Sequence, residues 1–355
     1  MAEGERLAVV LCNLGGPDGQ AAVEPFLFNL FNDRAIIGLP LVLRWPLAKL
    51  IAGRRAPTAR EIYSKIGGGS PLLANTEAQA AALVAALRDL GAVEVFIAMR
   101  YWSPLTEETV AAVKAWGATR IVVLPLYPQF STTTTASSWS AWRRAAARAR
   151  LAVPTTLVCC YPREAGFVAA LAARVRDGIA VAESRTARGR RLRVLFSAHG
   201  LPKKIVERGD PYPWQVEATS AAVAAAIGRE DIEWQVCYQS RVGPLAWIGP
   251  ATDREIERAG HEGVGLVVVP LAFVSEHSET LVELDIEYGA LAERSGVPVY
   301  VRVPTVSTMP DFIAGLASLV RAALGAPGGV EPGCGQRVCP ERLARCALSP
   351  GSLEA

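Results

Sequence analysis

LVVVPLAFVSEHSETLVELDIEY (266–288) is the run on which the fold turns. Four apolar residues, Leu266 to Val269, lead into Pro270. The run is too short for a helix and apolar on both faces, which predicts a strand buried on both sides of a parallel sheet. After a short turn come Glu276, Glu279, Glu283 and Glu287. Steps of three, four and four residues put all four carboxylates on one face of a helix. Like charges on one stripe repel, so the stripe is either a solvated face or is gathered around something cationic. It begins just past the C-terminal end of a buried strand, where open α/β sheets bind ligands. His277, one of only three histidines in the chain, stands among its first residues.

Working outward, the pattern predicts further strands at Leu7–Leu11, Val93–Ala98, Ile121–Leu124, Thr156–Cys159, Arg193–Phe196, Glu233–Cys237 and Val299–Val303. Ala-rich amphipathic stretches, such as Thr76–Leu90, Thr106–Trp116 and Tyr212–Ile227, lie between them. Strands alternating with helices indicate doubly wound parallel sheets. Two pieces recur in the same order: LAVVLCNLGGP (7–17) with LRVLFSAHGLP (192–202), and RIVVLPLYPQFS (120–131) with GLVVVPLAFVSE (265–276). The expected fold class is therefore α/β: two similar Rossmann-like domains, each a parallel sheet flanked by helices, with an active-site cleft between them. The expected divisions are 1–180, 190–328 and a Cys-rich extension at 329–355, with a polar hinge at Val181–Arg191. In this pairing Leu14 and His199 follow corresponding strands.

The 355 residues can hold two full cores. A hydrophobic content of 51% and a charged content of 20% describe a globular chain. A net charge of +3, without basic runs interleaved with aromatics, speaks against nucleic acid. The acidic start running into a strand predicts no secretory signal, and no run of eighteen apolar residues predicts a membrane span. Seven cysteines, three of them in the last 22 residues, favour a reduced, cytoplasmic setting and metal-type use over disulfides. FLFNLFNDRAIIGLPLVLRWPLAKLI (26–51) reads either as a buried helical hairpin or as an apolar lip for a greasy substrate or a membrane surface. Arg54 and Arg55 follow, placed to meet carboxylates or lipid phosphates.

His199 sits on a Gly/Pro turn directly after a strand, which can hold one ring nitrogen ready for chemistry. CYQSRVGPLAWIGP (237–250) offers Gln239, Ser240, Arg241 and Trp247, and an indole in a loop suits stacking on a flat substrate. MRYWSPLTEE (99–108) puts Arg100 and Tyr101 after a strand. IGGGSP (66–71), with Ser70, follows no strand and makes a weak phosphate cradle. NLGGP has the wrong spacing for a dinucleotide fingerprint.

As a set, NLGGP, IGGGSP, RYWSPLTEE, LPLYPQFS, FSAHGLP, GDPYPWQ, QSRVGPLAWIGP and PLAFVSEHSETLVELDIEY resemble the ferrochelatase family, from residue 7 to about residue 320. The resemblance implies insertion of ferrous iron into protoporphyrin IX with release of two protons, the last step of heme synthesis. It implies His199 and Glu279 as the opposed catalytic pair, one accepting protons and one binding the substrate iron, in an order the sequence leaves open. Glu276, His277, Glu283 and Glu287 become an acidic path and its support. Leu14, Tyr101 and Trp247 would pack the macrocycle, Arg54, Arg55 and Arg100 would meet its propionates, and Ser70, Gln239 and Ser240 would line its site. Glu276 stands where many relatives carry Asp.

The tail CGQRVCPERLARC (334–346) is similar to the extension that carries a [2Fe–2S] cluster in part of the family, with Cys334, Cys339 and Cys346 as the triplet. The gaps of four and six residues are wider than in animal enzymes, and Thr132 stands where those enzymes carry their upstream cysteine. Cys159 or Cys160 would replace it, only one of the two because neighbouring strand residues point opposite ways. Zinc on the same ligands is the alternative. A homodimer held partly by this tail, and peripheral contact with the inner membrane, are further implications of the resemblance. A non-catalytic tetrapyrrole carrier, a cobalt or nickel chelatase and a coproporphyrin enzyme remain as alternatives; the pairing of His199 with Glu279 speaks against the carrier.

Overall fold

The computed structural model describes residues 4–241, 243, 245–326, 328–333 and 335–353. In chain order the strands are β1 (Arg6–Asn13), β2 (Ala92–Met99), β3 (Arg120–Pro125), β4 (Thr155–Val158), β5 (Leu192–His199), β6 (Glu233–Gln239), β7 (Gly265–Pro270), β8 (Tyr300–Arg302) and β9 (Gly329–Glu331). The first helices are α1 (Val23–Phe31), α2 (Leu41–Ser64), α3 (Leu72–Ala86), α4 (Thr106–Trp116) and α5 (Thr135–Ala149). They are followed by α6 (Ala165–Ser184), α7 (Lys203–Glu207), α8 (Tyr212–Ile227), α9 (Thr252–Glu262), α10 (Tyr288–Arg294) and α11 (Pro310–Leu324). A π-helix at Glu279–Glu287 runs directly into α10.

Two compact units result: residues 1–160 with 316–337 and 347–355, and residues 161–315 with 338–346. All strand pairs are parallel. The first unit orders its sheet β2-β1-β3-β4-β9, the second β6-β5-β7-β8. Matching β1–β4 to β5–β8, both sheets follow the order 2-1-3-4, so the repeat legible in the sequence is a repeat of topology. Leu7 to Leu11 and Leu266 to Val269 have no exposed surface, as strands covered on both faces require.

Two expectations need correction. The polar run 181–191 is not a hinge: it closes α6 and leads into β5 inside the second unit, and the division falls after Cys160. Packing explains this, since a Cβ on Gly178 of α6 would come within 2.4 Å of Val303 and 3.1 Å of Val267. That helix lies flat on the second sheet. The tail is not one extension, because 338–346 belongs to the second unit and its flanks to the first. It also supplies β9, paired with β4, whose three residues carry no apolar run to announce them.

Residues 23–64 combine both readings of the apolar stretch. Val23, Phe26 and Leu27 of α1 close on Ala52, Ala56 and Tyr63 of α2 as a packed hairpin. The start of α2 is a lip, with Leu41 58%, Val42 80%, Leu43 57% and Trp45 48% exposed. IGGGSP packs against the loop after β1: Ser70 N–H donates to Pro17 O at 2.7 Å, and a Cβ on Gly69 would meet the Asp18 carbonyl at 2.9 Å. Close backbone approach accounts for that glycine without a phosphate.

Candidate active site

The second unit brings its chemistry to one place, the C-terminal ends of β5 and β7, where the strand order reverses and ligands of open α/β sheets bind. His199 is the last residue of β5, and Glu279 opens the π-helix beyond β7. His199 Nδ1 lies 2.8 Å from Glu279 Oε2. A ring nitrogen facing a carboxylate donates, so neutral His199 carries its lone pair on Nε2. Nε2 makes no hydrogen bond among the described residues, and the side chain is 40% exposed. Partial burial pulls the imidazole pKa down, but the charge and hydrogen bond of Glu279, reinforced by Glu283, outweigh it and the net shift is upward. Burial acts on Glu279 in the opposite sense, and there the His199 cation prevails to hold the carboxyl well below its usual range.

A second row fixes this pair. Gln239, the last residue of β6, is fully buried; it accepts from Ser197 Oγ at 2.7 Å and donates to Glu279 O at 3.2 Å and Glu283 Oε2 at 3.1 Å. Ser240 N–H donates to Glu283 Oε1 at 2.7 Å, while its hydroxyl lies 3.2 Å from Glu279 Oε2 and bonds Glu283 Oε2. Ser240 does so at φ +59°, a left-handed conformation that a serine holds only where its surroundings impose it. Burial, and then the Glu279 charge, raise the pKa of Glu283. The two carboxylates are thereby pushed apart, one to the ionised form and the other toward holding a proton.

The predicted stripe is only partly realised. Glu279 and Glu283 face the site, and Glu287 is exposed at the end of the same π-helix. Glu276 precedes the helix and is held by Arg302 Nη1 at 2.7 Å and Thr305 N–H at 2.9 Å. An ion-paired carboxylate of this kind ties the loop ahead of the π-helix to Arg302 and Thr305. His277 donates from Nδ1 to Ser275 O at 3.1 Å, which turns Nε2 toward Glu279 Oε2 at 4.0 Å. Burial lowers its pKa, so it supports the site as a neutral ring. Trp247 is half-buried on the loop after β6, pairing with Pro202 and packing 3.4 Å from the position of a Cβ on Gly200.

In the first unit, Leu14 follows β1 and its carbonyl accepts from Tyr101 N–H at 3.0 Å. Arg100 is engaged within the protein: Nη2 pairs with Asp33 at 2.8 Å and Nε donates to Ser137 Oγ at 2.8 Å. The Tyr101 hydroxyl also donates to Asp33, at 2.9 Å, and its ring is 1% exposed. Asp33 was missed by sequence reasoning, where one acid inside an apolar hairpin gave no periodic signal. Arg54 and Arg55 are exposed on α2, the latter over the Phe31 ring at 5.6 Å. Ser70 lies at the tip of the glycine loop, half-buried.

A family model described as ferrochelatase matches residues 6–324. The chain belongs to the ferrochelatase family. It is 55% identical over 352 residues to the ferrochelatase of Caulobacter vibrioides strain NA1000, covering 98% of this chain and 99% of that one. It is 53% identical to the ferrochelatase of Phenylobacterium zucineum, over 98% and 99% of the two chains. The ferrochelatase of Rickettsia bellii is 46% identical over 96% and 95%. Among solved structures, SirB from Bacillus subtilis with Fe3+ aligns over 90% of this chain and 95% of its own with a TM-score of 0.51. At 14% identity that likeness concerns the fold alone.

For a ferrochelatase with a cysteine tail, the thiols matter. Cys334 lies outside the described residues. Cys339 and Cys346 are buried in the second unit, and Gln215 Nε2 donates to Cys339 Sγ at 3.1 Å. Cys159 and Cys160 are buried in the first unit with their sulfurs 3.6 Å apart. The expectation that they point opposite ways fails because β4 ends at Val158, so pleat alternation no longer governs them. Among the described residues no three His, Cys, Asp or Glu side chains gather into a metal site, and no helix is long and apolar enough to cross a membrane.

Proposed function

We propose that the chain performs its family's reaction through the His199–Glu279 pair, with His199 Nε2 as the base that meets the porphyrin. The activity is that of a protoporphyrin ferrochelatase, a lyase-type enzyme of heme synthesis: ferrous iron and the free-base porphyrin give protoheme and two protons. Both pyrrole N–H bonds break, each electron pair staying on nitrogen to bind the iron. The observation that carries the assignment is the 2.8 Å contact, which leaves Nε2 as the imidazole's only basic site while Glu279 stabilises the imidazolium formed on protonation. One imidazole cannot hold a proton and the metal on the same nitrogen, so iron arrives from elsewhere. Each proton taken up on Nε2 leaves again from that exposed nitrogen to water, Glu279 staying ionised beside the imidazolium, while Glu283, bonded by the Ser240 hydroxyl, is the carboxyl whose raised pKa suits it to hold a proton.

By the family resemblance, Cys334, Cys339 and Cys346 of the tail with one of Cys159 or Cys160 would be the residues to hold a [2Fe–2S] cluster. Buried sulfurs with an amide N–H donor on one of them are the environment such clusters use. The cluster would supply one-electron redox chemistry, and none of the proton steps above passes through it. The apolar lip at 41–45 suits both a hydrophobic porphyrin and peripheral membrane contact. A homodimer is the assembly this reading carries.

The test is anaerobic: ferrous iron and protoporphyrin IX with wild type and His199→Ala, following porphyrin fluorescence and heme absorbance. Wild type should form heme, and the variant should bind porphyrin and turn over at least a hundredfold more slowly. Porphyrin binding without insertion by wild type would sink the assignment. The visible spectrum of the purified protein reports the cluster independently.

A further inference from the structure

We propose that strand β8 sets the register of the π-helix, with Tyr300 and Arg302 as positioning residues for metal insertion. A π-helix is uncommon because each backbone hydrogen bond reaches one residue further than in an α-helix, and it persists where something outside supports it. The long register is present here: Tyr288 N–H bonds Glu283 O. Gln239 and Ser240 hold the reacting carboxylates on one flank. The other flank is held from β8 and the residues that follow it.

Tyr300 Oη donates to Leu284 O at 2.7 Å, engaging a carbonyl in the middle of the π-helix. Arg302 Nε meets Asp285 Oδ1 at 2.7 Å, its Nη2 bonds the second oxygen of that carboxylate, and Nη1 reaches Glu276 Oε1 at 2.7 Å. One guanidinium, with 9% of its side chain exposed, therefore grips the helix within its last turn and the loop ahead of its first. The gripped positions, 276, 284 and 285, bracket Glu279 and Glu283. Relaxing the π-helix to α would change the rotation along it by about one residue, roughly 100°, and carry Glu283 away from Ser240. The planar fork of Arg302 suits this task, since a point-charge ammonium cannot hold Asp285 through two bonds and reach Glu276 as well.

The proposal rests on the assignment of Glu279 and Glu283 to the reacting site, and His199→Ala in the same assay keeps the two apart. Tyr300→Phe removes one hydroxyl and conserves packing; Arg302→Lys conserves charge and loses the fork. Expected for both is a kcat lower by about tenfold, a porphyrin Kd from fluorescence quenching within twofold of wild type, and a displaced inflection in the pH–rate profile. A one-ångström misplacement of reacting groups can cost about a hundredfold, so a fraction of that displacement gives about tenfold. If both variants melt earlier yet keep wild-type kcat and inflection, β8 is scaffold only and the proposal falls. Should Arg302→Lys fail to fold, Tyr300→Phe decides alone. A fully active His199→Ala would instead overturn the site assignment itself.

Discussion

The His199 imidazole and the Glu279 carboxylate shift each other in opposite directions, and the shifts give the site a pH signature. Burial depresses the histidine, but Glu279 and then Glu283 lift it above its ordinary 6.5. The pair therefore adds folding stability that is complete below 6.5 and fades as pH rises through the higher folded value. From the acid side, Glu279 has a depressed pKa, so its share is present above the usual 4.5 and lost as pH falls through the folded value. A base must be neutral to act, so kcat/KM should rise with pH and inflect above 6.5. In Glu279→Gln the amide can still accept the hydrogen bond, but it brings no charge. The inflection should move to lower pH and kcat fall about a hundredfold. An inflection unmoved in that variant would show that another group is the base.

At the scale of elements, Asp33 joins parts of the first unit that lie far apart in sequence. Following α1, it accepts from Arg100 and Tyr101, which follow β2, and from Ser137 in the first turn of α5. Burial works against its charge, but Arg100 and these hydrogen bonds outweigh it and lower its pKa. Asp33→Ala leaves a largely buried guanidinium without its carboxylate and should cost about 3 kcal/mol in denaturant unfolding. The depressed carboxyl contributes above its ordinary 3.8 and loses that contribution as pH falls, so wild type and variant should converge in strong acid. A cost below about 0.5 kcal/mol would reduce the cluster to a surface-type pair.

For the whole molecule, the lip raises the question of surroundings. Exposed large apolar residues concentrate at Ile36, Leu39, Leu41, Val42, Leu43, Trp45 and Leu50, beside the cations Arg44 and Lys49. Apolar side chains with cations alongside suit an anionic lipid surface. Val42→Asp should weaken co-sedimentation with phosphatidylserine-containing vesicles by about tenfold, since one such side chain is worth roughly 1.5 kcal/mol. It should leave the unfolding midpoint unchanged, because Val42 is 80% exposed. Equal sedimentation of both proteins would exclude the lip from any membrane contact.

The parallel strands, their internal repeat and the place of His199 were legible in the order of the amino acids, because buried strands and the turns after them are written in contiguous residues. The same order also carried the motifs of the ferrochelatase family. Tertiary contacts alone set Glu276 against Arg302 and Glu279 against His199, since four carboxylates at helical spacing look alike until partners distant in the chain, such as Arg302, 26 residues beyond Glu276, engage them. The π-register was equally invisible, because helical spacing does not distinguish a turn that is one residue wider. Asp33, Gln215 and Tyr300 were passed over for the same reason: each acts through a partner distant in the chain, and one-dimensional pattern reports only neighbours.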